Sequence, residues 1–411
     1  MRTLLDRILP PGVLAVAVTL FALVACRQGE AAPRAARLKF DRDGHARIPF
    51  DLRSQHVWVR GRVNGSDSVW IVVDTGASAS VIDATLSRSL SLRTSGQHEA
   101  LGAGGPQHST TVEDATIEIG GLSLRPRAMG AIDLSALGAQ SGRPMQVILG
   151  YELFQSCVVR FDYAAGVMDV WDAKHAPRDL PGVAVPMTLV ENHPYVEGVL
   201  TLPGRAPLRG RFVIDTGSSL AILLAPDVVE REKLATAFPR TLVAIGRGVG
   251  GELRNRVGRA ESFALGSLRF SKPTVVMPDS GAGRISAPGS LGNIGGQLLG
   301  RCRVTFDYSH HQIRFEPGAD FEHPFEADMS GATLTRTGGA LVVRWVNPET
   351  PAAEAGLQVG DRVIRIDGEI AERVDPAMLR LRLQREGSVV RLEVQRGANS
   401  LQMSLTLRRL L

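Results

Sequence analysis

Cysteine is nearly absent: Cys26, Cys157 and Cys302 are the three in a chain of 411 residues. No Cys-x-x-Cys and no His-Glu-x-x-His occurs, and His310-His311 has no companion ligands at useful spacing. A structural zinc is therefore not expected. Aromatic residues make up only 5%, whereas glycine numbers 44. That balance disfavours long helices and suits many short strands joined by tight turns. Excess charge is small as well: 47 Lys+Arg against 42 Asp+Glu leaves +5, and the cations, nearly all arginine, are scattered. With no basic run and no basic face interleaved with aromatics, nucleic-acid binding is not expected. The 44% hydrophobic content is enough to fill the cores of several domains.

The one long apolar run lies at the N-terminus. Arg2 and Arg7 accompany Ile8 to Ala25, which is broken by Pro10-Pro11-Gly12 and ends Leu23-Val24-Ala25-Cys26. The run is short for a spanning helix, so residues 1–25 read as an export signal. Its end resembles a bacterial lipobox. The resemblance implies cleavage before Cys26, a lipid on that thiol, and residues 26–46 as a tether to the membrane of a cell-envelope, periplasmic protein. A plain secretory signal or a single anchor is the alternative. In an oxidising compartment Cys157 and Cys302 could pair, or both could be small buried hydrophobes.

The chain repeats itself. Ile48-Pro49-Phe50-Asp51-Leu52 with His56 recurs as Val185-Pro186-Met187-Thr188-Leu189 with His193. Trp70-Ile71-Val72-Val73-Asp74-Thr75-Gly76-Ala77 recurs as Phe212-Val213-Ile214-Asp215-Thr216-Gly217-Ser218. Gly102-Ala103-Gly104-Gly105 answers to Gly248-Val249-Gly250-Gly251, and the stretch Leu149-Gly150…Cys157…Phe161-Asp162-Tyr163 answers to Ile294-Gly295…Cys302…Phe306-Asp307-Tyr308. Four landmarks in one order indicate a duplicated unit, residues 47–176 and 182–318. Alternating stretches such as His56 to Asn64-Gly65 make both copies β-rich.

One Asp-Thr-Gly is a weak signal, arising by chance about once in several thousand positions. Two at equivalent points of a duplication, each after a run of apolar β-formers, are specific. Splitting a peptide with water needs a base for the water and an acid for the carbonyl oxygen. Two carboxylates about 3 Å apart cannot both ionise, so they share a proton and supply both functions. The Thr hydroxyls can brace the two loops, and the glycines let backbone approach the carboxylates. No metal or organic cofactor is required.

These motifs resemble the retropepsin/pepsin class of aspartic peptidases, specifically bacterial retropepsin-like proteins with two fused lobes and a PDZ domain. The resemblance implies an acid-protease fold with Asp74 and Asp215 catalytic and Thr75, Gly76, Ala77, Thr216, Gly217 and Ser218 supporting them. Ile148-Leu149-Gly150 matches the segment that packs beneath the catalytic loop; in the second copy one apolar position is Asn293, a departure that puts the rigidity of that loop in question. A hydroxyl after the triplet favours a charged carboxylate in pepsin-like relatives, so Ser218 against Ala77 implies that Asp215 ionises more readily than Asp74. The resemblance also makes the Gly-rich turns 102–105 and 248–251 substrate-covering flap tips; an ordinary hairpin turn is the alternative. His56 and His193 are expected to make structural hydrogen bonds on an outer strand of each lobe.

After a linker at 318–329, residues 330–411 carry Pro351-Ala352-Ala353-Glu354-Ala355-Gly356-Leu357 and Gly360-Asp361-Arg362-Val363-Ile364-Arg365-Ile366-Asp367-Gly368. This resembles a PDZ domain, with a second helix at Met378–Leu383 and closing strands at 389–395 and 401–407. The resemblance implies that a ligand's C-terminal carboxylate meets the backbone of Gly338, Gly339, Ala340, Leu341 and Val342. The expected protein is a mostly β aspartic endopeptidase acting on peptides or unfolded proteins, with a C-terminal peptide as a further PDZ ligand. An inert adaptor working through its PDZ domain is the alternative.

Overall fold

The computed structural model describes residues 36–41, 43–279, 283–337 and 339–411, with the backbone of residues 18–19. Cys26, the remainder of the leader, most of the tether and Gly338 lie outside the described residues.

Each copy of the repeat folds into a lobe around one short buried strand. In lobe one this is Val69–Val73, where Ile71, Val72 and Val73 are fully buried. Antiparallel His56–Val63 lies on one side and parallel Val147–Leu149 on the other. Side chains buried on both faces of a central strand account for the continuous β-branched run. In lobe two Leu208–Ile214 lies in the same way between His193–Thr201 and Gly292–Ile294. The aspartate follows each strand, its N–H donating to the neighbouring parallel strand: Asp74 N to Leu149 O and Asp215 N to Ile294 O, both 2.9 Å.

The lobes join through a six-stranded sheet. Cys157–Asp162 and Cys302–Asp307 pair antiparallel at its centre, with Val158 opposite Asp307 and Asp162 opposite Arg303. Val167–Asp172 and His45–Pro49 extend it on one side, Gln312–Pro317 and Val183–Val190 on the other. The register decides the cysteine question. Antiparallel pairing puts Cys157 and Cys302 at opposite ends of adjacent strands, about six residues or roughly 20 Å apart at 3.3–3.4 Å per residue. Both are free and buried, and burial pushes the Cys302 thiol up to about 12.

The C-terminal unit has a core of its own, separate from the one that runs through both lobes. Its main strands stand in the order Ala332–Thr337, Ala340–Val346, Arg362–Ile366, Val389–Arg396, Asn399–Thr406. Helix Pro376–Arg382 begins two residues before the expected Met378, because Asp375 caps it by accepting from Ala377 N at 2.8 Å and Pro376 suits its first turn. The expected carboxylate loop at 338–342 needs correction. Gly339 lies in a hairpin turn, and Ala340, Leu341 and Val342 begin an inner strand paired on one side to Ala332–Thr337 and on the other to Arg362–Ile366. A strand bonded on both sides cannot add a peptide. Among the described residues the edges of this sheet are Ala332–Thr337, paired only to Ala340–Val346, and Asn399–Thr406.

This unit is docked on lobe two. The Asn347 side chain behaves as a strand partner, accepting from Val243 N at 2.7 Å and donating to Val243 O at 2.9 Å. Arg254 stacks over Trp345 at 4.7 Å, and Arg53 of lobe one pairs with Asp375.

Candidate active site

The two Asp-Thr-Gly turns meet on the axis relating the lobes. Thr75 N donates to Thr216 Oγ1 and Thr216 N to Thr75 Oγ1, each at 3.0 Å. Each hydroxyl then donates across the interface, Thr75 Oγ1 to Ile214 O at 2.8 Å and Thr216 Oγ1 to Val73 O at 2.9 Å. Four reciprocal bonds leave the buried threonines no other arrangement in this core, so the turns are held face to face.

That brace positions the carboxylates. Each accepts from the glycine of its own triplet: Gly76 N to Asp74 Oδ1 at 2.7 Å, Gly217 N to Asp215 Oδ1 at 2.8 Å. Each also lies directly against the glycine of the other lobe. A Cβ on Gly76 would sit 2.4 Å from Asp215 Oδ1, and one on Gly217 would sit 2.3 Å from Asp74 Cγ. Only glycine fits at either place. Both aspartates are fully buried, and they share a side-chain hydrogen bond.

The electrostatics follow from that contact. Burial, and next the charge of Asp215, raises Asp74 well above the carboxylate range. Burial raises Asp215 as well, but hydrogen bonds from Asp74, from Asn293 and from the Gly217 and Ser218 backbones draw it back. Asp74 is therefore the better proton holder and Asp215 the better anion. This is the asymmetry expected from Ser218, with a different cause. Among the described residues the Ser218 hydroxyl makes no hydrogen bond to Asp215; its Oγ accepts from Leu220 N at 3.5 Å. The donor is Asn293 Nδ2, bonded to Asp215 Oδ2. The departure from an apolar pattern was visible in the sequence, but its chemical purpose was not.

The repeated histidines are also more than outer-strand residues. His56, fully buried, lies with Nε2 3.0 Å from Gly217 O. His193 has the Gly76 backbone of the other lobe as a hydrogen-bond partner. Each lobe thus reaches across the axis to hold the back of the other lobe's Asp-Thr-Gly turn. Burial keeps His193 neutral, with its pKa lowered to about 4.

The Gly-rich turns are the tips of two hairpins that meet. Gly102 ends strand Thr94–Gly102 and Gly105 begins Gly105–Val112; Gly248 ends Leu242–Gly248 and Gly251 begins Gly251–Arg259. The two tips touch: Gly104 N donates to Val249 O at 2.8 Å. A Cβ on Gly104 would fall 2.3 Å from the Gly251 backbone, and one on Gly250 2.0 Å from Gly105 O. Gly283 N adds a bond to Ala103 O at 2.8 Å. Among the described residues no group of His, Cys, Asp and Glu has the arrangement of a metal site.

A family model for aspartyl proteases matches residues 59–153 and 200–296, one match in each lobe, and a PDZ-domain model matches residues 342–396. The chain carries two retropepsin-like aspartyl protease regions followed by a PDZ domain. No curated protein matches it. The first match takes in Asp74 and the Gly-rich turn of lobe one, and the second takes in Asp215, Asn293 and the Gly-rich turn of lobe two. His56 and His193 fall just outside both matches. The PDZ match begins within the inner strand, so the open-edge strand Ala332–Thr337 precedes it.

Proposed function

We propose that this protein is an aspartic endopeptidase that cuts extended segments of peptides or unfolded proteins with a water held between Asp74 and Asp215. The observation that carries the reading is the mutual seating of the two carboxyl groups, each against the other lobe's glycine and joined by a hydrogen bond. The Asp215 carboxylate takes a proton from water as the water oxygen attacks the scissile carbonyl carbon. Asp74 gives its proton to the carbonyl oxygen, forming a neutral gem-diol. Collapse of that diol breaks the C–N bond, with a proton passing to the departing amine nitrogen. The meeting flap tips support a closed, water-poor site around an extended substrate. The enzyme is exported, with a lipid on Cys26 holding it at the cell envelope.

The test is digestion of a reduced, alkylated protein followed by mass spectrometry. Wild type is expected to produce internal cuts that pepstatin blocks, and Asp74→Asn to reduce the rate roughly 10³-fold or more. Equal cleavage by Asp74→Asn, or none by wild type, contradicts the proposal.

A further inference from the structure

The PDZ domain lacks free donors where a ligand's terminal carboxylate would need them. The loop entering the open-edge strand runs Asp328-Met329-Ser330-Gly331. Ser330 N and Gly331 N donate to Asp328 Oδ1 at 2.9 and 3.0 Å. Met329 N donates to Leu383 O at 2.9 Å, and Ala332 N to Ser330 Oγ at 3.1 Å. All four N–H groups that could cradle an anion are taken, two of them by a carboxylate of the chain itself. A second carboxylate placed there would meet Asp328 at close range, a repulsive contact.

The rest of the groove is open to an extended chain. The unpaired edge of Ala332–Thr337 runs beside helix Pro376–Arg382, where Met378 and Leu381 are 53% and 49% exposed. Together with Leu334 they line a cavity of about 720 Å³ whose far wall belongs to the peptidase lobes: Gln55, Ser219 and Leu220. These are next to the chemistry. Gln55 precedes His56, which touches the Gly217 carbonyl, and Ser219 lies in the turn that carries Asp215. The direction fits too. Met329, at the closed end, is tied to the end of the helix, whereas Asp375, at its start, pairs with Arg53 beside Gln55.

We propose that the PDZ groove holds an internal, extended segment of the same polypeptide that is being cut, added as a strand to the edge of Ala332–Thr337. That polypeptide continues past Gln55 and Ser219 into the catalytic cleft. The inference rests on the peptidase reading for the identity of its ligand. Main-chain bonds from the edge strand supply affinity and the apolar helix face supplies selectivity, with no requirement for a chain end.

The test uses the full chain carrying Asp74→Asn, so that ligands are retained uncut. Peptides of about sixteen residues, roughly 50 Å when extended, tile an unfolded protein and are made both as free acids and as C-terminal amides. Mass spectrometry of retained peptides is expected to recover the same set from both pools. Adding Met378→Asp, or separately Leu381→Asp, is expected to lower retention about tenfold, a loss of about 1.4 kcal/mol. Both side chains lie on the surface, so neither change burdens folding. Retention of free acids tenfold above amides overturns the proposal, as does unchanged retention in both groove variants. In the active enzyme Met378→Asp is expected to lower the ratio of kcat/KM for sixteen-residue over eight-residue substrates; an unchanged ratio counts against the proposal. If wild type cuts neither length, the peptidase reading fails, while the retention measurement still decides what the groove holds.

Discussion

At the scale of single residues, Asn293 separates the two acids. Its amide stabilises the charged form of Asp215, and no equivalent donor stands in lobe one, where Ile148 occupies the matching place. Replacing it by leucine removes that stabilisation, so the pair gives up its first proton less readily. Because activity requires one proton on the pair, the acid limb of kcat/KM against pH is expected to move to higher pH in Asn293→Leu, by about one pH unit. An unmoved or lowered limb contradicts this. A second expectation concerns stability. Burial raises both aspartates above their unfolded values. Between the unfolded and folded pKa values the native state therefore holds protons that the unfolded chain has released. Stability falls as pH rises through that window, by about 1.4 kcal/mol for each pH unit and each acid. Asp215→Asn relieves that cost. Its melting temperature is expected to exceed wild type by more at pH 8 than at pH 4; equal differences at both pH values reject the assignment.

At the scale of elements, the duplicated turns were legible from two Asp-Thr-Gly copies because each follows a strand whose apolar run has no other use than burial. The bonds between them were less legible. His56 and His193 recur in register, but their partners are backbone groups of the opposite lobe, and a backbone group leaves no mark in a sequence. His193→Ala is expected to lower kcat about tenfold to a hundredfold with little change in KM, since it loosens the turn carrying Asp74 rather than a substrate contact. His193→Asn, which keeps a donor, should recover part of the loss. Equal defects in both variants would reduce the histidine to packing. The flap tips give a sharper steric case. Gly250→Val places a side chain against Gly105 O and, with φ near +93° at that residue, strains the turn. It is expected to keep the tips apart and to lower kcat/KM roughly tenfold or more.

At the scale of the whole molecule, the C-terminal domain is fastened to the second Gly-rich hairpin. Asn347 is bonded to Val243 on one arm of the second flap, and Trp345 carries Arg254 from the other arm. The first flap has no such partner among the described residues. Asn347→Ala is expected to increase hydrogen exchange along Leu242–Gly248 and leave Gly105–Val112 unaffected; equal change in both flaps argues against asymmetric fastening. Domain order and composition were readable because each unit has its own pattern. The way the units dock was not, because Asn347, Trp345 and Arg254 look like ordinary loop and strand residues until the surfaces meet. The misplaced carboxylate loop has a similar origin. A Gly pair before an apolar strand fits the expected pattern, but pairing on both sides of that strand is a property of the folded sheet.

Hydrolysis at this site requires Asp74 and Asp215 to behave as one titrating unit. Titration of the protein with ¹³Cγ-labelled aspartate, assigned through Asp74→Asn and Asp215→Asn, measures this directly. Two coupled steps are expected, the first above the ordinary carboxylate value of about 4 and the second well above it, with removal of Asp215 lowering the pKa of Asp74. Two independent titrations near the ordinary value, each indifferent to loss of the other acid, would contradict it.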